Sequence, residues 1–134
     1  MASTFLLEIA TPEKLVVSNP ATEAELPGAS GMIGVLPGHA ALITELEPGP
    51  LEYVMDGKRQ HLATGKGWAE VSGELVRVLV DSCESADQID TARAEAAFKR
   101  AAERLASPKE DIDMARAVNA YKRAEARLAV AKRR

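Results

Sequence analysis

Six arginines in the last third of the chain stand at spacings that could hold a phosphate. Arg93, Arg100 and Arg104 recur at steps of seven and four, and Arg116, Arg123 and Arg127 repeat those steps. On a helix, such steps put each trio on one face. A guanidinium is planar and always charged, and its donors engage a carboxylate or phosphate two at a time. The same rows also fit a solvated face, because Glu103 and Glu125 lie among them and exposed charges of both signs are ordinary on a helix. The residues alone leave both readings open.

The segment carrying the rows is written twice. Ile89–Ser107 and residues 112–130 agree at 12 of 19 positions, which marks two copies of one helical unit. The first copy carries an apolar stripe of Ala94, Phe98, Ala101 and Leu105, and the second repeats it as Ala117, Tyr121, Ala124 and Leu128. Those steps are helical. Ser107-Pro108-Lys109-Glu110 reads as a capping box with proline at the first helical position, so one helix stops and the next starts there. Ser85 with Gln88, or Asp87, is the expected N-cap of the first helix. The stripes are rich in alanine, so the pair buries little surface by itself and is marginal alone.

Residues before 85 read differently. Nine short apolar segments are predicted as strands: Phe5–Ala10, Leu15–Ser18, Ala21–Leu26, Met32–Leu36, Ala41–Leu46, Pro50–Met55, Gln60–Ala63, Gly67–Val71 and Leu75–Val80. Proline and glycine turns separate them, and the spacing suits a sandwich or barrel. Asp56-Gly57 is a two-residue hairpin signal. Leu75 and Leu79 alternate with Val76, Val78 and Val80, which suggests cover on both faces of that strand. Asp81–Asp87 reads as a polar connector.

Composition narrows the class. A chain of 134 residues makes one domain or one domain with an appendage. Aromatics are only 4%, so aliphatic residues must fill the core. No apolar run approaches the ~18 residues that span a bilayer, and Glu8 arrives too early for a secretory leader. The single Cys83 cannot form an internal disulfide and suits a reducing compartment. No metal motif is present, and Gly65-Lys66-Gly67 is no P-loop. His39 reads as a turn histidine bonded to nearby backbone, Trp68 as a packing anchor and Cys83 as an inert small residue. No nucleophile, base or metal constellation forms, so a stand-alone enzyme is the weakest reading.

Charge is divided. Residues 1–88 hold 5 Lys+Arg against 13 Asp+Glu, a net of −8, and residues 89–134 hold 12 against 7, a net of +5. Such asymmetry suggests separate partners or mutual attraction. A small nucleic-acid-binding module using the basic helical hairpin is the alternative reading, opposed by the interleaved carboxylates and the acidic body.

Three passages carry a resemblance. Residues 34–49, Gly-Val-Leu-Pro-Gly-His-Ala-Ala-Leu-Ile-Thr-Glu-Leu-Glu-Pro-Gly, resemble the signature of the epsilon subunit of F-type ATP synthases (delta in mitochondria). Ala63–Val71 is similar to that family's Gly-Gly-aromatic-Ala-Glu-Val segment. Ile89-Asp90-Thr91-Ala92-Arg93-Ala94 resembles the Ile/Leu-Asp-x-x-Arg-Ala motif with which bacterial members bind ATP.

The resemblance implies an N-terminal antiparallel beta-sandwich over residues 1–84 and a C-terminal two-helix antiparallel hairpin over 85–134. It implies a non-catalytic subunit of the central stalk that couples rotation to ATP synthesis and regulates ATP hydrolysis through the hairpin. The expected partners are the gamma subunit and the c-ring, with the alpha and beta subunits when the hairpin extends. No nucleic acid is expected, and the membrane is met only through the complex, on the cytoplasmic face of a bacterial plasma membrane. No cofactor is required, and ATP is a regulatory ligand. Carried over by position, Glu84, Ile89, Asp90, Arg93, Ala94, Arg100, Arg123 and Arg127 are the expected ATP contacts. Leu36, Pro37, Gly38 and His39 are the expected subunit contacts.

Overall fold

A computed structural model of the chain describes residues 3–107 and 113–133. Its first part is a ten-stranded sheet folded on itself. The strands are β1 (Phe5–Ala10), β2 (Leu15–Ala21), β3 (Glu23–Gly28), β4 (Gly31–Val35), β5 (Leu42–Leu46), β6 (Gly49–Met55), β7 (Lys58–Thr64), β8 (Gly67–Val71), β9 (Leu75–Val80) and β10 (Cys83–Ser85). Their order is β10-β7-β6-β3-β5-β8-β9-β1-β2, and β4 pairs with β3. β1 runs parallel to β9, and the other pairs are antiparallel. The inward positions, among them Leu7, Ile9, Leu26, Leu46, Leu51, Val71, Val76 and Val78, are fully buried and fill one core. The strand spacing suited a sandwich or a barrel, and the sandwich is what forms.

Local chemistry explains the turns. Asp56 and Gly57 both adopt positive φ, at 52° and 74°. Two such residues twist a tight hairpin in the sense its strands need, and β6 and β7 pair across them from Met55 with Lys58. Asn19-Pro20 falls between two of the predicted segments, Leu15–Ser18 and Ala21–Leu26, yet lies inside β2. β2 is an edge strand, where a missing N–H costs no ladder bond.

Three sequence expectations fail here. β9 is covered on one face only: Val76, Val78 and Val80 are buried, whereas Leu79 is 53% exposed. Trp68 is no packing anchor, for it is 56% exposed on an outward position of β8. The acidic connector contains β10, which pairs with β7 from Cys83 with Thr64 to Ser85 with Leu62.

Two helices follow, α1 (Thr91–Ala106) and α2 (Met114–Ala131). The caps also differ from expectation. Ser85 and Gln88 form a capping box around a single 3-10 turn, Ala86–Gln88. The extended backbone of Ile89 then interrupts the run, and the Asp90 side chain caps α1 by accepting from the Arg93 N–H at 3.1 Å. Asp113 caps α2 identically through the Arg116 N–H. Of the Ser107–Glu110 box, Ser107 is the C-cap of α1, and the other three residues lie outside the described part of the chain. The described α2 starts at Met114.

The helices pack antiparallel. Phe98 meets Tyr121 with ring centroids 4.7 Å apart, while Ala94 shares a cluster with Ala126. Ala94, Ala101, Ala117 and Ala124 are buried along the seam, where small side chains let the backbones approach. α2 also packs on β6, β7 and β10. Ala126 and Val130 join Ala63 and Ile89 in a second apolar cluster, which seats the hairpin on the sandwich.

Candidate nucleotide site at the joint

A half-open cavity of about 460 Å³ lies at the joint between sandwich and hairpin. The β1–β2 turn supplies Thr11, Glu13 and Lys14, and the segment entering β10 supplies Asp81, Ser82, Cys83 and Glu84. The start of α1 supplies Asp90, Arg93 and Ala94, and α2 supplies Arg127. Two ion pairs hold α2 against the sandwich beside it. Arg127 Nε lies 2.7 Å from Glu84 Oε1, and Lys122 Nζ lies 2.8 Å from Glu47 Oε2.

Five of the eight expected ATP contacts line this cavity: Glu84, Asp90, Arg93, Ala94 and Arg127. Ile89 is 3% exposed and anchors the apolar cluster beneath the hairpin. Arg100 and Arg123 lie outside the lining. Arg100 is seven residues beyond Arg93, about 10 Å along the helix, and Arg123 is one turn from Arg127, about 6 Å. Both continue the rows away from the cavity along the hairpin.

The cavity is chemically mixed. Its cations are Lys14, Arg93 and Arg127, and its carboxylates are Glu13, Asp81, Glu84 and Asp90. Glu84 is already engaged by Arg127. The start of α1 adds backbone N–H groups and the positive end of the helix dipole. Such a lining offers donors to phosphate and acceptors to amino or hydroxyl groups, which a nucleotide carries together. The Cys83 thiol faces an unfavourable place for charge: burial, then the Glu84 carboxylate, raise its pKa to about 11, while the Lys14 ammonium pulls the other way. It is a poor nucleophile at neutral pH.

The expected contact loop lies elsewhere. Leu36 is 60% exposed. Gly38 has φ +83°, a conformation glycine adopts without strain, and its N–H donates to the Gly73 carbonyl. His39 turns its Nδ1 to the Ala40 carbonyl at 2.7 Å, as read from the sequence. Since a carbonyl only accepts, Nδ1 carries the proton.

Sequence reasoning passed over an outward stripe. Cross-strand pairing aligns Trp68 with Leu79, Leu79 with Ala10 and Ala10 with Leu15. Trp68, Leu79 and Leu15 are all more than half exposed. The strand alternation held that signal, because Trp68 shares its face with Glu70 and Leu79 with Arg77.

The beta-sandwich model of the ATP synthase delta/epsilon chain matches residues 4–86, and the long alpha-helix model of the same chain matches residues 87–132. The chain belongs to the ATP synthase delta/epsilon chain family. Among its relatives, the ATP synthase epsilon chain of Koribacter versatilis is 48% identical over 105 residues, 78% of this chain and 74% of that protein. The epsilon chain of Lawsonia intracellularis is 44% identical over 111 residues, 83% of this chain and 84% of its own. In the cryo-EM structure of the Euglena gracilis mitochondrial ATP synthase, one chain superposes with a TM-score of 0.84 at 22% identity, covering 98% of this chain and 83% of that one. That likeness concerns the fold. Membership makes this chain a non-catalytic part of the ATP synthase, and no helix among the described residues is long and apolar enough to cross a membrane.

Proposed function

We propose that this chain is the epsilon subunit of the central stalk in a proton-transporting F-type ATP synthase, at the cytoplasmic face of a bacterial plasma membrane. In this reading the sandwich binds the gamma subunit and the c-ring and carries torque between them, and the hairpin senses ATP. The observation that carries the sensing role is the cavity at the joint. It unites residues of the sandwich and of both helices, so a ligand filling it favours the docked hairpin. The open stripe of Trp68, Leu79 and Leu15 and the Leu36–His39 loop support the rotor contacts, since neither lies under the hairpin.

The mechanism follows from differential binding. Phosphate oxygens engage Arg93 and Arg127 at the cavity, and a ligand extended along the hairpin edge reaches Arg123 and Arg100. Glu84 and Asp90 accept from amino or hydroxyl groups. When the hairpin undocks, this set disperses and the affinity is lost. ATP therefore shifts the population toward the docked form only by the difference between the two affinities. At low ATP the hairpin extends along gamma, its basic rows approach the alpha and beta subunits, and ATP hydrolysis is opposed.

The test is the ATPase rate of the assembled complex carrying wild-type chain or Arg93→Ala. Preincubation with ATP relieves inhibition in the wild type and not in the variant. Equal relief in both overturns the sensor.

A further inference from the structure

The cavity contains a cation that the arginine rows do not predict. Lys14 stands on the β1–β2 turn, far in sequence from the hairpin, yet lines the same space as Arg93 and Arg127. The turn is built to hold it there. Pro12 fixes one backbone angle, the Thr11 N–H donates to the Lys14 carbonyl at 2.9 Å, and the Lys14 N–H meets the Thr11 hydroxyl oxygen at 3.4 Å. Its ammonium is close enough to the Cys83 thiol in the cavity wall to act on it electrostatically. Among the described residues the Lys14 side chain makes no ion pair, whereas Arg127 is held by Glu84.

We propose that Lys14 is a phosphate-binding residue of the joint cavity, and that it is the sandwich's own cation for the nucleotide. The inference rests on the nucleotide reading of the cavity and deepens it. Arg93 and Arg127 belong to the hairpin, so phosphate held by them alone need not fasten the hairpin to anything. Phosphate held by Lys14 and the arginines together ties the two parts. Lys14 therefore turns ligand binding into docking, because the hairpin leaves it behind when it departs. Glu13 and Asp81 line the same wall. Both repel phosphate, so the Lys14 ammonium is what lets an anion approach the sandwich wall, and its attraction is greater for the more highly charged triphosphate than for a diphosphate.

The experiment is calorimetric titration of the full chain with ATP and with ADP, on wild type, Lys14→Gln, Lys14→Arg and Arg93→Ala. Urea denaturation of each without nucleotide runs alongside. Loss of one charge-assisted bond predicts ATP affinity about tenfold weaker in Lys14→Gln. Lys14→Arg restores most of it, and the urea midpoint of Lys14→Gln stays at the wild-type value. The preference for ATP over ADP narrows in Lys14→Gln, which a merely structural role would not produce. Wild-type affinity in Lys14→Gln, with binding lost in Arg93→Ala, overturns the role of Lys14 and leaves the nucleotide reading standing. Absence of ATP binding by the wild type up to millimolar concentration overturns both.

Discussion

Arg127 on α2 and Glu84 on β10 meet at 2.7 Å across the joint between hairpin and sandwich. The two side chains are 33% and 30% exposed, so water screens them and their pairing is modest. A double-mutant cycle with Glu84→Gln and Arg127→Gln is expected to return a coupling of about 0.5–1 kcal/mol. A coupling near zero in urea denaturation would mean that the pair does not hold the hairpin at all.

Apolar burial contributes more to docking than this ion pair. Val130 is 1% exposed and packs with Ala126, Ile89 and Ala63. Val130→Ala should cost about 2 kcal/mol. Its counterpart in the first copy is Ser107, which is exposed, and Ser107→Ala should shift stability by less than about 0.5 kcal/mol. Urea midpoints of the two variants distinguish a docked α2 from a free one.

The two copies of the helical unit show how much was legible and where legibility stopped. Their shared positions gave the seam and the arginine rows. Their differences held the docking face: polar Glu103 and Ser107 become apolar Ala126 and Val130 in the second copy, and both join the cluster on the sandwich. Only α2 needs those residues, because α2 lies against the sandwich. Asp90 teaches a related lesson. The motif around it occurs again at Asp113, and both aspartates cap helices, so the pattern reports a helix start as well as a ligand site. Lys14 could not be placed from sequence, since only the fold brings its turn to the hairpin.

The sandwich surface gives a third expectation. Trp68 is 56% exposed, so Trp68→Ala should leave the stability of the isolated chain within about 0.5 kcal/mol. Under the proposed rotor contact, Trp68→Ala should weaken gamma binding by at least about tenfold. Surface-immobilised gamma would measure it, and unchanged affinity would place the contact off this stripe.

Cys83 supplies a pH test. Burial lifts its pKa from the ordinary 9.0 to about 11. The folded thiol therefore keeps its proton at pH values where the unfolded thiol has lost it. Stability drawn from this group is intact below the unfolded value and declines as pH rises between the two. Alkylation of the folded chain with iodoacetamide should accelerate toward pH 11, with no inflection near 9. An inflection near 9 would show an open cavity wall.

The central claim is that ATP holds the hairpin on the sandwich, and amide hydrogen exchange across α2 reads it most directly. The account predicts that saturating ATP slows exchange over residues 114–131 in the wild type and leaves it unchanged in Arg93→Ala. Exchange over α2 that is indifferent to ATP in the wild type would contradict it.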